Sequence, residues 1–429
     1  MRDRLGRWRR LAVVDVSPLR QVPGYRWLFG GMLAMQAGRQ LTVVAVPFQL
    51  FALTGSTLAV GLLGLAQLIP LLVVSTVGGA LADAFDRRRL LALAQVALAV
   101  TAAGLLWNAA AEAPAVWPLY VLSAVNAGVS AIDSPARHAI VPGLVGRALL
   151  PAALALNQTL TNIAKTAMPA MAGLLIAVWG LPFSYGVEVL LFIASFLLLR
   201  HLPPTEIEGG GRKLELSAIV EGFRFLRSRR IIQAAFLIDL NAMVFGMPTA
   251  LFPAFGTEVL GGDAFTVGLL YAAPGAGALV GALSSGWVST VRRQGRAVVL
   301  AVVGWGAGIA VFGLTDSLPV ALTMLGLAGA ADVVSAIFRN SIVQLTVPDN
   351  LRGRLSSMHM AVVAGGPRLG DLEAGVVAAV TSVRFSVVSG GLACVIGAVA
   401  IARWAPPFVA YRYVPDDDPG SAVPGPVRP

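Results

Sequence analysis

Nine ionisable side chains sit inside stretches that are otherwise apolar: Arg39, Asp133, Lys165, Glu188, Asp239, Asp332, Arg368, Asp371 and Glu373. Such groups bind and release protons, or hold an opposite charge, because a carboxyl or cation removed from water responds to whatever faces it. Covalent chemistry has no comparable set. The three histidines, His138, His201 and His359, lack H-E-x-x-H spacing, and no G-x-S-x-G elbow occurs. Neither lysine follows a G-x-x-x-x-G-K-[ST] phosphate loop, and Cys394 stands alone, so neither a disulfide nor a thiolate metal cluster is available. The residues point to a non-enzyme that needs no cofactor and no metal beyond an ion gradient.

The elements that position these groups follow from composition. Of 429 residues, 57% are hydrophobic and 13% charged, against about 25% charged in a soluble domain, and the mean hydropathy is +0.78. Apolar runs of about 20 residues recur, long enough to cross a hydrocarbon core about 30 Å thick as helices. Only helices or closed barrels satisfy their backbone there, and these runs lack the short alternation of barrel strands. The expected class is an all-α polytopic membrane protein. Its spans fall near 27–52, 59–81, 90–110, 118–136, 152–178 and 183–200, then 231–254, 265–288, 297–314, 318–338, 357–380 and 385–404.

The net charge is +10, with thirty arginines and two lysines. A basic chain can mark a nucleic-acid binder, but here the arginines lie in alternate connections, such as "DRRR", "VRRQGR" and "DNLRGR", while the others are nearly free of them. That alternation is the positive-inside rule at every crossing and puts both termini in the cytoplasm. No nucleic-acid partner is expected, only a lipid bilayer and a small molecule, with the chain acting as a monomer. The start "MRDRLGRWRR" precedes an apolar run too long for a signal peptide, so it reads as the basic cytoplasmic segment 1–26 before an uncleaved span. A six-helix bundle at 27–200 is followed by a cytoplasmic linker, 201–230, whose "SAIVEGFRFLRSRR" reads as an amphipathic helix on the membrane face. A second bundle covers 231–404 and a disordered cytoplasmic tail 405–429. Trp27, Trp107, Trp117, Trp179, Trp287 and Trp404 lie near span ends, where an aromatic belt belongs.

The bundles also resemble each other: "AIDSPARHAIVPGLVGR" (131–147) parallels "AIFRNSIVQLTVPDNLRGR" (336–354). Two parallel six-span repeats suit a carrier with its site at their interface. Shifting by the shared Gly-Arg step sets Lys165 against Asp371 and Glu373, a cation and acids facing one gap. Arg39 lies at mid-span, where function is the default. Asp133 can pair with Arg137, and Arg368, Asp371 and Glu373 can satisfy one another along one helix. Glu188 is close enough to a span end to snorkel. Asn157, Gln158, Asn162 and Asn241 are polar at cavity depth. For proton coupling Asp239 and Asp371 are favoured, since an acid in a dry pocket binds a proton that an approaching cation can expel. The competing reading, a membrane scaffold or sensor that transports nothing, leaves these charges without a purpose.

One stretch, "GGALADAFDRRRLL" (78–91), combines orientation with something more. Gly79 allows close helix approach, and Asp83 can meet a helix N-terminus or pair with Arg87 or Arg88, an ion pair that one conformation makes and another breaks. It resembles the loop signature G-x-L-a-D-r-x-G-r-k of the major facilitator superfamily at Gly79, Leu81, Ala82, Asp83, Arg87 and Arg88. Ala84 stands where that signature has a basic residue and Asp86 where it has its second glycine. With "EGFRFLRSRR", "GLLYAAPGAGALVGALSSG" and "PDNLRGRLSS", residues 17–405 resemble the enterobactin-exporter-like branch of that superfamily. The resemblance implies twelve helices in two pseudo-symmetric bundles and a multi-pass bacterial inner-membrane protein. It further implies proton-driven export of siderophores or other drug-like amphiphiles, with residues 79–88 as a conformational gate. The antiporter signature of span 5 is met at Pro169 and Gly173 only, and Pro169 reads as a kink.

Overall fold

The computed structural model describes residues 15–84, 86–203 and 224–413, apart from the side chains of residues 76–84, 134, 135, 138, 139, 289, 349, 350, 354 and 357. The basic segment before residue 15, most of the linker's amphipathic helix and the end of the tail therefore lie outside the described residues. So do the side chain of Asp83 and the surroundings of Gly79.

Among the described residues the chain is helical and contains no strand. The first half holds α1 (Pro23–Thr54), α2 (Thr57–Ala84), α3 (Arg87–Ala110) and one long run, α4 (Trp117–Leu199). The second half holds α5 (Arg230–Phe245), α6 (Ala264–Leu283), α7 (Gln294–Leu314), α8 (Leu318–Thr346), α9 (Asp349–Val380) and α10 (Val383–Trp404). Proline in the first turn starts α1, α4 and α8, where its missing N–H costs nothing. Asp263 and Ser382 accept from the backbone N–H groups of Thr266 and Phe385 at the starts of α6 and α10.

The 83 residues of α4 are not one helix. Gly146 (φ 68°, ψ 171°) and Gly180 (φ 83°, ψ 172°) interrupt it, in a region only glycine enters without strain. The resulting segments, 117–145, 147–179 and 181–199, bring the number of long helical segments among the described residues to twelve. These follow the expected spans in order. Eight continuous stretches are long and apolar enough to cross a membrane, which is compatible with twelve crossings. Pro169 lies inside 147–179 with no such interruption, so the two corners fall at glycines.

The internal repeat diverges at its turns. Val141 and Pro142 lie inside 117–145, whereas Val347 and Pro348 form the break between α8 and α9. Span 7 is also broken. After α5 comes a turn at Gly246–Pro248, then a 3-10 turn (Thr249–Leu251), one short helical turn (Phe252–Ala254) and a π turn (Phe255–Val259). At the C-terminus the tail read as disordered from 405 is ordered over residues 405–413. Pro406–Val409 forms a short helix, Phe408 is fully buried, and the Tyr413 N–H donates to the Arg292 carbonyl at 2.8 Å. Of the linker helix, residues 224–228 are helical, with Phe225 and Leu226 packed on the Ile232–Phe236–Leu351 cluster while Arg224 and Arg227 face out.

Two apolar cores divide by half. Phe252, Phe255, Trp305, Phe312 and Phe338 anchor the second, and Tyr25, Leu91, Ile140 and Leu199 belong to the first. A third cluster mixes Leu41, Val44 and Leu63 with Ala250, Ala254 and Val267, so the halves share buried surface. They meet there along two glycine seams. A Cβ on Gly375 of α9 would lie 2.8 Å from the Gly61 Cα of α2, and a Cβ on Gly268 of α6 would lie 2.8 Å from the Gly173 Cα of 147–179. Backbones this close leave no space for a side chain. Both seams lie near the helix ends joined by the arginine-poor connections. Outside, Leu93, Val100, Leu190, Leu283 and Ile396 are exposed, a surface suited to lipid chains. The six belt tryptophans are exposed as expected. Trp305 is buried instead and donates to the Gly246 carbonyl at 2.8 Å.

The turn between α2 and α3 explains the aspartate at the signature's glycine position. Asp86 is the N-cap of α3: its side chain accepts the Arg88 N–H at 2.9 Å and lies 3.8 Å from the Arg89 Nε. An N-cap carboxylate contributes about 1 kcal/mol. Asp86→Ala is expected to lower the thermal unfolding midpoint in detergent, and Asp86→Ser to restore most of it.

Candidate functional site

A cavity of about 760 Å³ lies between the halves on the side of the seams away from the arginine-poor connections. From the first half, α1 contributes Arg39 and Thr42, α2 contributes Gln67, and segment 117–145 contributes Ser123, Asn126 and Ser130. From the second come Thr249 and Ala250 at the break of span 7, Tyr271 of α6, and Arg368 and Asp371 of α9. The lining continues to Ser75 and Ser356, toward the basic connections.

The broken span sets the geometry at the closed end. Ending α5 at Gly246 frees the Ala250 N–H, which donates to Asp371 Oδ1 at 2.8 Å, and the Thr249 hydroxyl donates to the same oxygen at 2.5 Å. The Tyr271 hydroxyl donates to the Thr249 carbonyl at 2.9 Å. Asp371 is therefore held by the break itself. Arg368, one turn earlier, donates to the Ala364 carbonyl at 2.5 Å, and its Nε is buried without a protein partner. The expected Arg368–Asp371–Glu373 cluster thus does not close on itself, and Glu373 is half-buried outside the cavity lining. Arg39 makes no hydrogen bond or ion pair among the described residues and lies within Coulombic reach of Asp133, Arg137 and Arg368. The Ser123 and Ser130 hydroxyls and the Asn126 amide nitrogen are also buried without protein partners. Buried polar groups are normally satisfied, so these directed groups of the lining are available to a ligand.

The other candidates form two charge clusters away from the lining. In the first half Asp133 pairs with Arg137, as its spacing suggested, and accepts from Gln95 at 3.1 Å; Arg137 also reaches the Met35 sulfur. In the second, buried Asp239 lies 2.8 Å from Arg339 and 3.1 Å from His359, while Ser335 accepts from Arg339 at 3.2 Å. Asp332 is within Coulombic reach of Arg339, Asp239 and Lys165. Lys165 is exposed and absent from the cavity, so the repeat offset does not carry it to the acids of α9. Its neighbour across the halves is Asp332. Asn157 accepts from Tyr25 at 2.9 Å, Gln158 donates to Asn162 at 3.0 Å, and Asn241 donates to the Cys394 carbonyl at 2.8 Å, all outside the lining. Glu188 does not snorkel: it is fully buried and accepts from the Thr42 hydroxyl. In the stretch expected to act as a gate, Arg88 donates to the Arg200 carbonyl at the end of 181–199, tying the α2–α3 turn to the last segment of the first half. Arg87 is also engaged.

Gln67, Ser123, Asn126, Thr249 and Tyr271 were not singled out from sequence. For Thr249 a signal existed, the double proline of "GMPTALFP", since broken helices gather at transporter cavities. The uncharged polar residues carry none, because a lone Ser or Asn in a span is equally common at helix contacts.

A family described as transmembrane secretion effectors matches residues 14–417. The chain belongs to that family. It is a major facilitator superfamily membrane transporter with a transporter's and not an enzyme's architecture. An enterobactin exporter of Citrobacter koseri is 29% identical over 383 residues, 88% of this chain and 91% of that one. One from Escherichia coli is 28% identical over 394 residues, 91% and 94% of the two chains. Among solved structures, a bacterial homologue of the lysosomal transporter Spinster superposes with a TM-score of 0.71 at 14% identity, covering 92% of this chain and 99% of that one. A POT family transporter bound to a conjugated peptide gives 0.72 at 11%, covering 90% and 96%. These likenesses show the fold. Among the described residues no group of three or more His, Cys, Asp or Glu is placed to hold a metal.

Cys394, the one cysteine, is fully buried. Thiol reagents are expected to leave the parent protein unlabelled and to label Ser75→Cys or Ser356→Cys, exposed positions of the lining, through the cavity. Labelling at neither position would show that the cavity is not open to solvent.

Proposed function

We propose that this chain is a proton-coupled secondary exporter of small amphiphilic anions, siderophore-like in type, which exposes one central cavity alternately to each side of a bacterial inner membrane. The observation that carries this reading is the cavity itself. It is the size of a ligand pocket, it draws one unpaired guanidinium from each half, Arg39 and Arg368, and the glycine seams close one end of it. With the basic connections in the cytoplasm, as the positive-inside rule requires, both termini are cytoplasmic and the cavity faces the cytoplasm. Export then needs the seams to part and the basic ends to close.

The two bundles, 27–200 and 231–404, move as units joined by the linker 201–230. Residues 79–88 act as the gate, with the Arg88 contact to Arg200 made in the cytoplasm-facing state. Asp371 is the carboxylate best placed for coupling to substrate, because it shares the cavity with Arg368 and its hydrogen bonds come from the broken span of the same half. Asp239, gripped by Arg339 and His359, ties α5 to α8 and α9 within the second bundle. The relatives named enterobactin exporters support a siderophore as cargo, and the transporter acts as a monomer.

The test is enterobactin uptake into inverted membrane vesicles carrying the transporter, with and without an uncoupler. Gradient-dependent uptake is expected, and uptake of a lipophilic cation is not. Arg368→Gln and Arg39→Gln each remove a charge-assisted hydrogen bond contributing about 1.5–3 kcal/mol, so each is expected to weaken enterobactin binding about tenfold to a hundredfold. Uptake that ignores the gradient, or binding unchanged in both variants, contradicts the reading.

A further inference from the structure

Glu188 is an acid buried wholly inside the first half. It sits on segment 181–199 with no exposed surface, its Oε1 accepts from the Thr42 hydroxyl of α1, and its Oε2 has no partner. No cation among the described residues bonds to it. On α1 the charged residues are Arg26, bound near the helix start to the Leu19 and Arg20 carbonyls, and Arg39, three positions before Thr42 and turned into the cavity. On α3 the arginines are confined to its first turn, where Arg88 is bound to the Arg200 carbonyl. On 117–145, Asp133 and Arg137 are paired with each other, and on 147–179 Lys165 is exposed. On its own segment the titratable neighbour is Tyr185, whose hydroxyl donates to Gln49 at 2.8 Å and not to Glu188.

An ionised carboxylate in such a place, lacking a cation and with one oxygen unsatisfied, carries a desolvation cost that a neutral acid avoids. A neutral acid also has an O–H to offer. One further observation turns this from a packing detail into a site: Thr42 lines the central cavity. Its hydroxyl links the cavity lining to Glu188 directly.

We propose that Glu188 is a proton-binding site of the transporter, loaded from the central cavity through the Thr42 hydroxyl. The inference rests on the proton-coupled reading above and names a residue for it. In the loading step Thr42 Oγ1 passes its proton to a Glu188 carboxylate oxygen and takes another from a hydronium ion in the cavity, so the threonine hydroxyl is regenerated, water is left behind and the carboxyl becomes neutral. Unloading runs the same relay backwards. It is favoured when parting of the halves gives the carboxylate a cation, and Arg39, one turn from Thr42 on the same helix, is the cation at hand. Proton release would then leave Arg39 paired with Glu188 and withdraw it from the anionic cargo. One residue thus links proton exit to cargo release in the first half, while Asp371 faces the same cavity from the second.

The test combines infrared difference spectroscopy on the full chain in lipid nanodiscs with gradient-driven enterobactin uptake into inverted vesicles. The parent protein is expected to show a neutral-carboxylic-acid carbonyl band at pH 7 that disappears in Glu188→Gln and persists in Asp371→Asn. Thr42→Val is expected to slow hydrogen–deuterium exchange of that band, while Thr42→Ser preserves it. Glu188→Gln, checked for folding by its thermal midpoint, is expected to lose the dependence of uptake on the pH gradient. Absence of the band from the parent overturns the proposal, as does a band present with gradient dependence intact in Glu188→Gln. Parent uptake that never depends on the gradient would instead defeat the proton-coupled reading, while the band still decides whether Glu188 holds a proton.

Discussion

Backbone-to-backbone contact between the two halves is the constraint on which the rest of this structure depends. Gly61 and Gly64 of α2 pack against the backbone of α9, and Gly173 of 147–179 packs against α6, at distances that admit no side chain. In lipid, helices gain nothing from burying apolar surface against each other, so close approach and good packing must hold them. Such packing is all-or-none, because a seam this tight is either formed or parted. Forming it at one end of the helices leaves space at the other, and that space is the cavity.

The charges follow from the cavity. A guanidinium or carboxylate inside a membrane protein needs a partner or water, and the structure supplies each in a different way. Asp133 pairs with Arg137, and Asp239 with Arg339 and His359, so both clusters act as polar rivets within their own halves. Asp371 is satisfied by the backbone and hydroxyl that the break in span 7 releases. Arg39 and Arg368 are left facing the cavity from opposite halves with donors to spare. An anion seated between them would be held by both halves at once, which is how a cargo influences their relative position.

Much of this was legible in the sequence because it rests on local rules. Hydropathy and arginine placement located the spans, and all six tryptophans assigned to the membrane interface are exposed. The Asp133–Arg137 pair followed from one-turn spacing along a helix. What the sequence hid depends on which helices face each other. Glu188 looked like a residue able to reach the interface, yet the Thr42 face of α1 covers it. Lys165 appeared to match the acids of α9 by repeat arithmetic, but the halves differ at their turns. One corners at Gly146, the other at Val347–Pro348, and the register is lost between them. Asp86 departed from a family signature, and only the α3 N-terminus shows that the departure supplies a cap.

The central claim is that the seams and the basic ends open in alternation, and distance measurement between spin labels tests it most directly. Labels would be placed in pairs across the halves, one pair beyond the seams near Thr54 and Thr381, another at the basic ends near Arg147 and Arg292. Adding enterobactin and changing pH should lengthen the first distance while shortening the second. Two distances that stay fixed, or that lengthen together, would contradict the account.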